Sequence, residues 1–77
     1  MTIEEKYDNA FAYVLFLEKV KKAKEEFPKF RWGQHYWLVL VKENEKLARK
    51  IYGTELDPYP LNIINEEIHR FVLENWR

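Results

Sequence analysis

Few residues in this 77-residue chain could carry chemistry, and their types narrow what that chemistry could be. Cysteine and serine are both absent, which leaves Thr2 and Thr54 as the only aliphatic hydroxyls. Thr2 sits at the expected start of a helix and Thr54 in an expected turn. Covalent catalysis needs a base within reach of the nucleophile and a third group to orient that base, and the spacing supplies neither. The two histidines are His35 and His69. Glu66 and His69 form an E-x-x-H, the spacing that di-iron helical bundles use twice. A metal centre there would need a second copy of the motif and further inward carboxylates, for which the first helix offers only Glu18. No catalytic, cofactor or metal site is expected, and the chain does not read as an enzyme.

What remains is the chemistry of binding. Two stretches hold all three prolines, both glycines and two of the three tryptophans: Phe27-Pro28-Lys29-Phe30-Arg31-Trp32-Gly33-Gln34-His35-Tyr36-Trp37 and Gly53-Thr54-Glu55-Leu56-Asp57-Pro58-Tyr59-Pro60. Arg31, with Gln34 one turn along, can donate to a carboxylate, a phosphate or the backbone of a partner. The same two residues can instead tie the Asp57-Pro58-Tyr59 turn to the second helix, through an Arg31–Asp57 ion pair, with Gly33 admitting a second backbone. The architectural role is the expected one. Trp, Tyr and Arg dominate interaction hot spots, so Trp32, Tyr36 and Trp37 define an aromatic patch. Positions 36 and 37 diverge by about 100° on a helix, so at least one ring lies at the periphery. Trp32 and Tyr36 are expected in the core. The candidate partner-binding residues are Arg31, Trp32, Gln34, Tyr36, Trp37 and Tyr59.

The elements that position these residues read as helices. Thr2 and Glu5 make a capping box, followed by Ile3, Tyr7, Ala10, Phe11, Val14 and Leu17 at helical three–four spacing. Tyr13, Leu15 and Phe16 widen that stripe to nearly the whole circumference. Such a helix is covered on several sides, by its own domain or by a second copy. Pro28 ends it. From Phe30 to Val41, Trp32, Tyr36, Val39 and Leu40 share a face. Asn44 then caps a short helix carrying Leu47, Ala48, Ile51 and Tyr52, and Gly53 stands at its left-handed C-terminal position. Asn62 or Asn65 caps a last helix lined by Ile64, Ile68, Phe71, Val72 and Trp76. The expected fold is all-α, a compact bundle of about four helices with the second and third short, in one domain over residues 1–77.

The motif Pro28-x-x-Arg31-x-Gly33-Gln34, with Asp57-Pro58-Tyr59 and a short acidic helix further on, resembles a group of small bacterial and phage-borne proteins of uncharacterised function. Those carry P-x-x-R-x-G-Q at a helix start and D-P-F-Y before the final helix. The resemblance covers Phe27 to the C-terminus. It departs at Leu38, where the group has Asn, and at Pro60, where it has Tyr. It implies a small helical accessory protein of a phage or mobile element.

Composition sets the remaining bounds. Aromatics make up 17% of the chain, more than so small a core readily encloses. Some should reach the surface and mark an interface. Net charge is zero. Residues 27–53 carry six Lys/Arg against Glu43 and Glu45, whereas residues 54–77 carry two Arg against five acids. Neutralisation of the one segment by the other within the fold is expected. The run Lys19-Val20-Lys21-Lys22-Ala23-Lys24 is interleaved with Glu18, Glu25 and Glu26, as on a solvated helix face. No segment reaches the roughly 18–20 apolar residues that span a bilayer, and Glu4-Glu5 does not suit the start of a signal peptide. The expectation is a cytoplasmic protein-interaction module, with a host or phage protein as partner, a homodimer as an option and no membrane. The alternative is a helix-turn-helix-like nucleic-acid-binding regulator built on the second and third helices. It is less favoured, because Glu43 and Glu45 precede its recognition helix.

Overall fold

Thr2 Oγ1 accepts a hydrogen bond from the Glu5 backbone N–H at 3.2 Å, and from that cap a 24-residue helix, α1 (Ile3–Glu26), runs toward Pro28. In the computed structural model, which describes residues 2–76, three further helices follow: α2 (Trp32–Glu43), α3 (Glu45–Ile51) and α4 (Glu66–Glu74). There is no strand among the described residues. At 1.5 Å per residue α1 is about 36 Å long, and it sets the 39 Å long axis of the molecule. The all-α expectation holds. The lengths differ from it, because α2 has 12 residues and α4 only 9.

Asparagine makes the later boundaries. Asn44 alone separates α2 from α3: its Oδ1 accepts from the Leu47 N–H, and its Nδ2 donates to the Trp76 carbonyl. One side chain therefore caps α3 and fastens the end of the chain to it. Gly53 follows α3 with φ at +72°, the left-handed position expected of it. Asn65, not Asn62, caps α4 by accepting from Ile68 N–H at 2.9 Å. Ile64 therefore precedes that helix and packs against the core from the loop.

The face that α1 buries is not the one its three–four stripe suggests. Tyr13, Phe16 and Val20 enter the core with Asn9 beside them, while Ile3, Tyr7, Phe11, Val14 and Leu15 face outward. The mid-helix is apolar around its whole circumference, so periodicity alone does not choose a side. Docking against α2 and α4 does.

Among the described residues, ten form the buried core: Tyr13, Phe16 and Val20 of α1, Tyr36 and Leu40 of α2, Leu47, Ala48 and Ile51 of α3, and Ile68 and Val72 of α4. Phe16 meets Tyr36 edge-on at 4.9 Å between centroids, and Trp76 closes over Phe16 at 5.2 Å. A polar thread crosses this core. Tyr36 Oη lies 2.7 Å from Tyr13 Oη, and Tyr13 Oη also bonds His69 Nδ1. A buried hydroxyl left unpaired costs about 1–3 kcal/mol, so the three groups satisfy one another. Burial pushes the Tyr13 phenol up to about 12 and raises Tyr36 as well. Burial lowers the His69 imidazole. Neutral His69 and the two phenols form one connected set of hydrogen bonds through Tyr13 Oη, with Nδ1 accepting or donating according to its tautomer.

This thread makes stability depend on pH with a definite sign. His69 resists protonation in the folded chain, whereas the unfolded chain gains a proton near the ordinary value of 6.5. The unfolded state binds more protons below that pH, so stability falls as pH drops through it. Urea midpoints measured at pH 7.5 and 5.5 should decrease toward the acid side, and His69→Gln, which can still accept from Tyr13, should flatten that decrease. Equal slopes in the two proteins would remove His69 from the account.

Candidate functional site

Arg31 holds the N-cap position of α2 in an extended conformation, yet arginine has no side-chain acceptor and cannot cap. Gln34 reaches back instead, its Oε1 accepting from Arg31 N–H at 3.0 Å. Gly33 N–H, at the second position of the helix, is taken by the Leu61 carbonyl at 3.0 Å. The loop between α3 and α4 therefore supplies the cap that the helix lacks. Only glycine admits it. A Cβ on Gly33 would stand 2.5 Å from the Leu61 carbonyl oxygen and closer still to that of Pro58.

That loop is built by its own side chains. Asp57 accepts from Gly53 N–H through Oδ2 at 2.8 Å and from Tyr59 N–H through Oδ1 at 3.0 Å. Thr54 Oγ1 donates to the Ile51 carbonyl and accepts from Leu56 N–H. Pro58 is fully buried against α2. The two motif stretches thus meet, but by a different contact from the expected Arg31–Asp57 ion pair. Both Asp57 oxygens serve backbone N–H groups, and Arg31 Nη2 donates to the Tyr59 carbonyl at 3.1 Å with its guanidinium 5.6 Å from the Tyr59 ring centroid. Gln34 Nε2 adds a long bond of 3.4 Å to Tyr59 Oη.

The aromatic candidates separate. Tyr36 is fully buried, so it serves the core and offers nothing to a partner. Trp32 is partly exposed beside Lys24, 5.8 Å from its ring centroid, and lines a recess with Leu17, Val20, Ile63 and Ile64. Trp37 points elsewhere. Half-buried against the core, it stacks on Tyr52 at 5.5 Å between centroids, tilted by 36°. Trp37, Tyr52, Gly53, Asp57, Tyr59 and Pro60 line an open cleft of about 400 Å³. Arg31 and Gln34 brace Tyr59 from outside that cleft. Sequence reasoning missed Tyr52 as a member of this cleft and gave Asp57 a different role, as the ion-pair partner of Arg31. Tyr52 reads as part of the α3 core face, but α3 ends at Ile51 and the turn carries its ring outward.

The remaining charges do not pair as expected. Among the described residues no ion pair joins the basic middle segment to the acidic C-terminal one. Lys19 bonds Glu43, Arg49 bonds Glu45 at 2.6 Å, and Arg70 lies 3.6 Å from Glu66. The E-x-x-H is divided, with Glu66 toward Arg70 and His69 toward Tyr13. No three His, Asp or Glu side chains gather as metal ligands among the described residues. No family model, curated protein or solved structure matches the chain.

Two substitutions measure how far the loop depends on α2. Gly33→Ala should destabilise the fold by about 3 kcal/mol, the upper end of the usual cost of overpacking, because the obstructing atoms are backbone carbonyls that cannot swing aside. Arg31→Ala should leave the chain folded and cost about 1–2 kcal/mol, the worth of a partly exposed charge-assisted bond. Urea denaturation of both variants checks the order, and a Gly33→Ala protein of wild-type stability would contradict this account of the loop.

Proposed function

We propose that this chain is a small protein-interaction module whose docking site is the cleft of Trp37, Tyr52 and Tyr59. The observation that carries the reading is the juxtaposition of these rings around a held Asp57 carboxylate. Trp37 is anchored in the core, and the backbone bonds of Asp57 hold Tyr59 in place. Aromatic side chains that are already positioned lose little freedom on binding, and such residues contribute most at protein interfaces. A cleft of about 400 Å³ accepts one or two side chains of a partner. A long side chain with a cationic end fits it best, since ring faces attract cations and Asp57 has no cationic partner among the described residues. The setting in this proposal is the cytoplasm of a bacterium carrying a phage or mobile element, on the resemblance of the two motif stretches. No helix among the described residues is long and apolar enough to cross a membrane.

The nucleic-acid reading has less support. The seven-residue α3 is two turns long, and Glu45 at its start is paired with Arg49. A recognition helix presents its N-terminal residues to the groove, where this acid opposes phosphate.

Tagged protein incubated with nuclease-treated lysate of the source cells should retain one near-stoichiometric protein. Tyr52→Ala, at an exposed position, should lose that protein while keeping its melting temperature. Equal retention by the variant would move docking away from the cleft, and recovery that vanishes with nuclease would favour nucleic acid.

A further inference from the structure

We propose that the recess between α1, α2 and the loop leading into α4 is a binding site for a small aliphatic carboxylate. Leu17 and Val20 of α1, Trp32 of α2, and Ile63 and Ile64 of the loop give it apolar walls. Its volume is about 470 Å³. Small-molecule sites run from roughly 300 to 1,000 Å³ and combine apolar walls with a few polar groups. Ile63 is 77% exposed and Trp32 38%, so apolar surface stays open to water here. A seated ligand removes it from water. The polar groups are Tyr36 and His69 of the core thread, which line the same recess. His69 uses Nδ1 for Tyr13, and its Nε2 bonds no group among the described residues.

Charge selects the head group. Lys21 also lines the recess, is exposed, and enters no ion pair among the described residues. Lys24, held by the Pro28 and Phe30 carbonyls, places a second ammonium 5.8 Å from the Trp32 ring centroid. No acid lines the recess among the described residues. Around α1, Leu17 and Lys24 fall on one side of Lys21 and Glu18 and Glu25 on the other, each by about 40–60°. The two acids therefore stand on the side of Lys21 away from Leu17 and the recess. Glu66, three residues before His69, is turned toward Arg70 at 3.6 Å. An alkyl chain ending in one carboxylate matches this arrangement, with its chain against the walls and its charge at Lys21. An alkylammonium would meet two like charges, and a neutral chain would leave them unused. A lipid surface is a poorer occupant, because interfacial helices bury a continuous apolar face, whereas this site lies between separate elements. The recess is distinct from the Trp37 cleft, so this site stands or falls independently of docking there.

Nuclear magnetic resonance titration of the full chain with decanoate tests the proposal. The Ile63, Ile64 and His69 signals should shift and saturate, with a dissociation constant of about 10–100 µM. Decanol and decylammonium should each bind at least about 10-fold more weakly, since neither forms the charge-assisted contact. Lys21→Gln should weaken decanoate about 5–10-fold and leave decanol unchanged. Ile63→Glu alters an exposed side chain, so its circular dichroism should be unchanged while decanoate binding is lost. Phe11→Glu, elsewhere on α1, and Tyr52→Ala, in the cleft, should bind decanoate as wild type does. Shifts that do not saturate, or decylammonium or decanol bound as tightly as decanoate, would overturn the proposal. So would an Ile63→Glu protein that binds decanoate unchanged, or a loss of binding in Phe11→Glu.

Discussion

The close approach of the loop between α3 and α4 to the first turn of α2 is the constraint on which the rest of this molecule depends. It is a backbone contact: Leu61 accepts from Gly33 N–H, and the Pro58 carbonyl lies where a side chain on Gly33 would be. Each side needs the other. The helix begins at an arginine that cannot cap it, and a 77-residue chain without cysteine has no disulfide to hold the loop. Pinning the loop to α2 also directs the chain into α4, which returns Ile68 and Val72 to the core beside α1.

The same contact builds the cleft. Once Pro58 is held against α2, Tyr59 and Pro60 stand opposite Trp37 and Tyr52, with Asp57 bridging Gly53 and Tyr59 through its two oxygens. A binding surface made this way is an irregular loop supported by regular elements, the usual division of labour between function and scaffold. In the core, the thread from Tyr36 through Tyr13 to His69 gives directional bonds as well as packed rings. Such a network favours one side-chain arrangement when all its members are satisfied.

The long first helix divides its aromatics between two tasks. Tyr13 and Phe16 meet the edges of Tyr36, His69 and Trp76 inside the domain, while Tyr7 and Phe11 stand on the opposite side. A core this small accepts only one face of a helix, so an α1 that is apolar all round must present the remainder outward.

Local rules were enough for much of the fold. Thr2, Asn44, Asn65, Pro28 and Gly53 mark helix ends through side-chain caps, a missing donor and a left-handed residue, and each acts within four residues of itself. Such short-range effects are written in the residue types, so the sequence by itself determined the four helices and the two irregular stretches between them. The partition of those residues between core and surface was a tertiary decision. Which side of α1 is buried, why Tyr36 is enclosed while Trp37 reaches the cleft, and that Arg31 grips a Tyr59 carbonyl while Asp57 bonds elsewhere all depend on helix docking. Periodicity states that a face is apolar, but burial requires another element to arrive there, and that arrival is fixed by contacts between residues far apart in the chain.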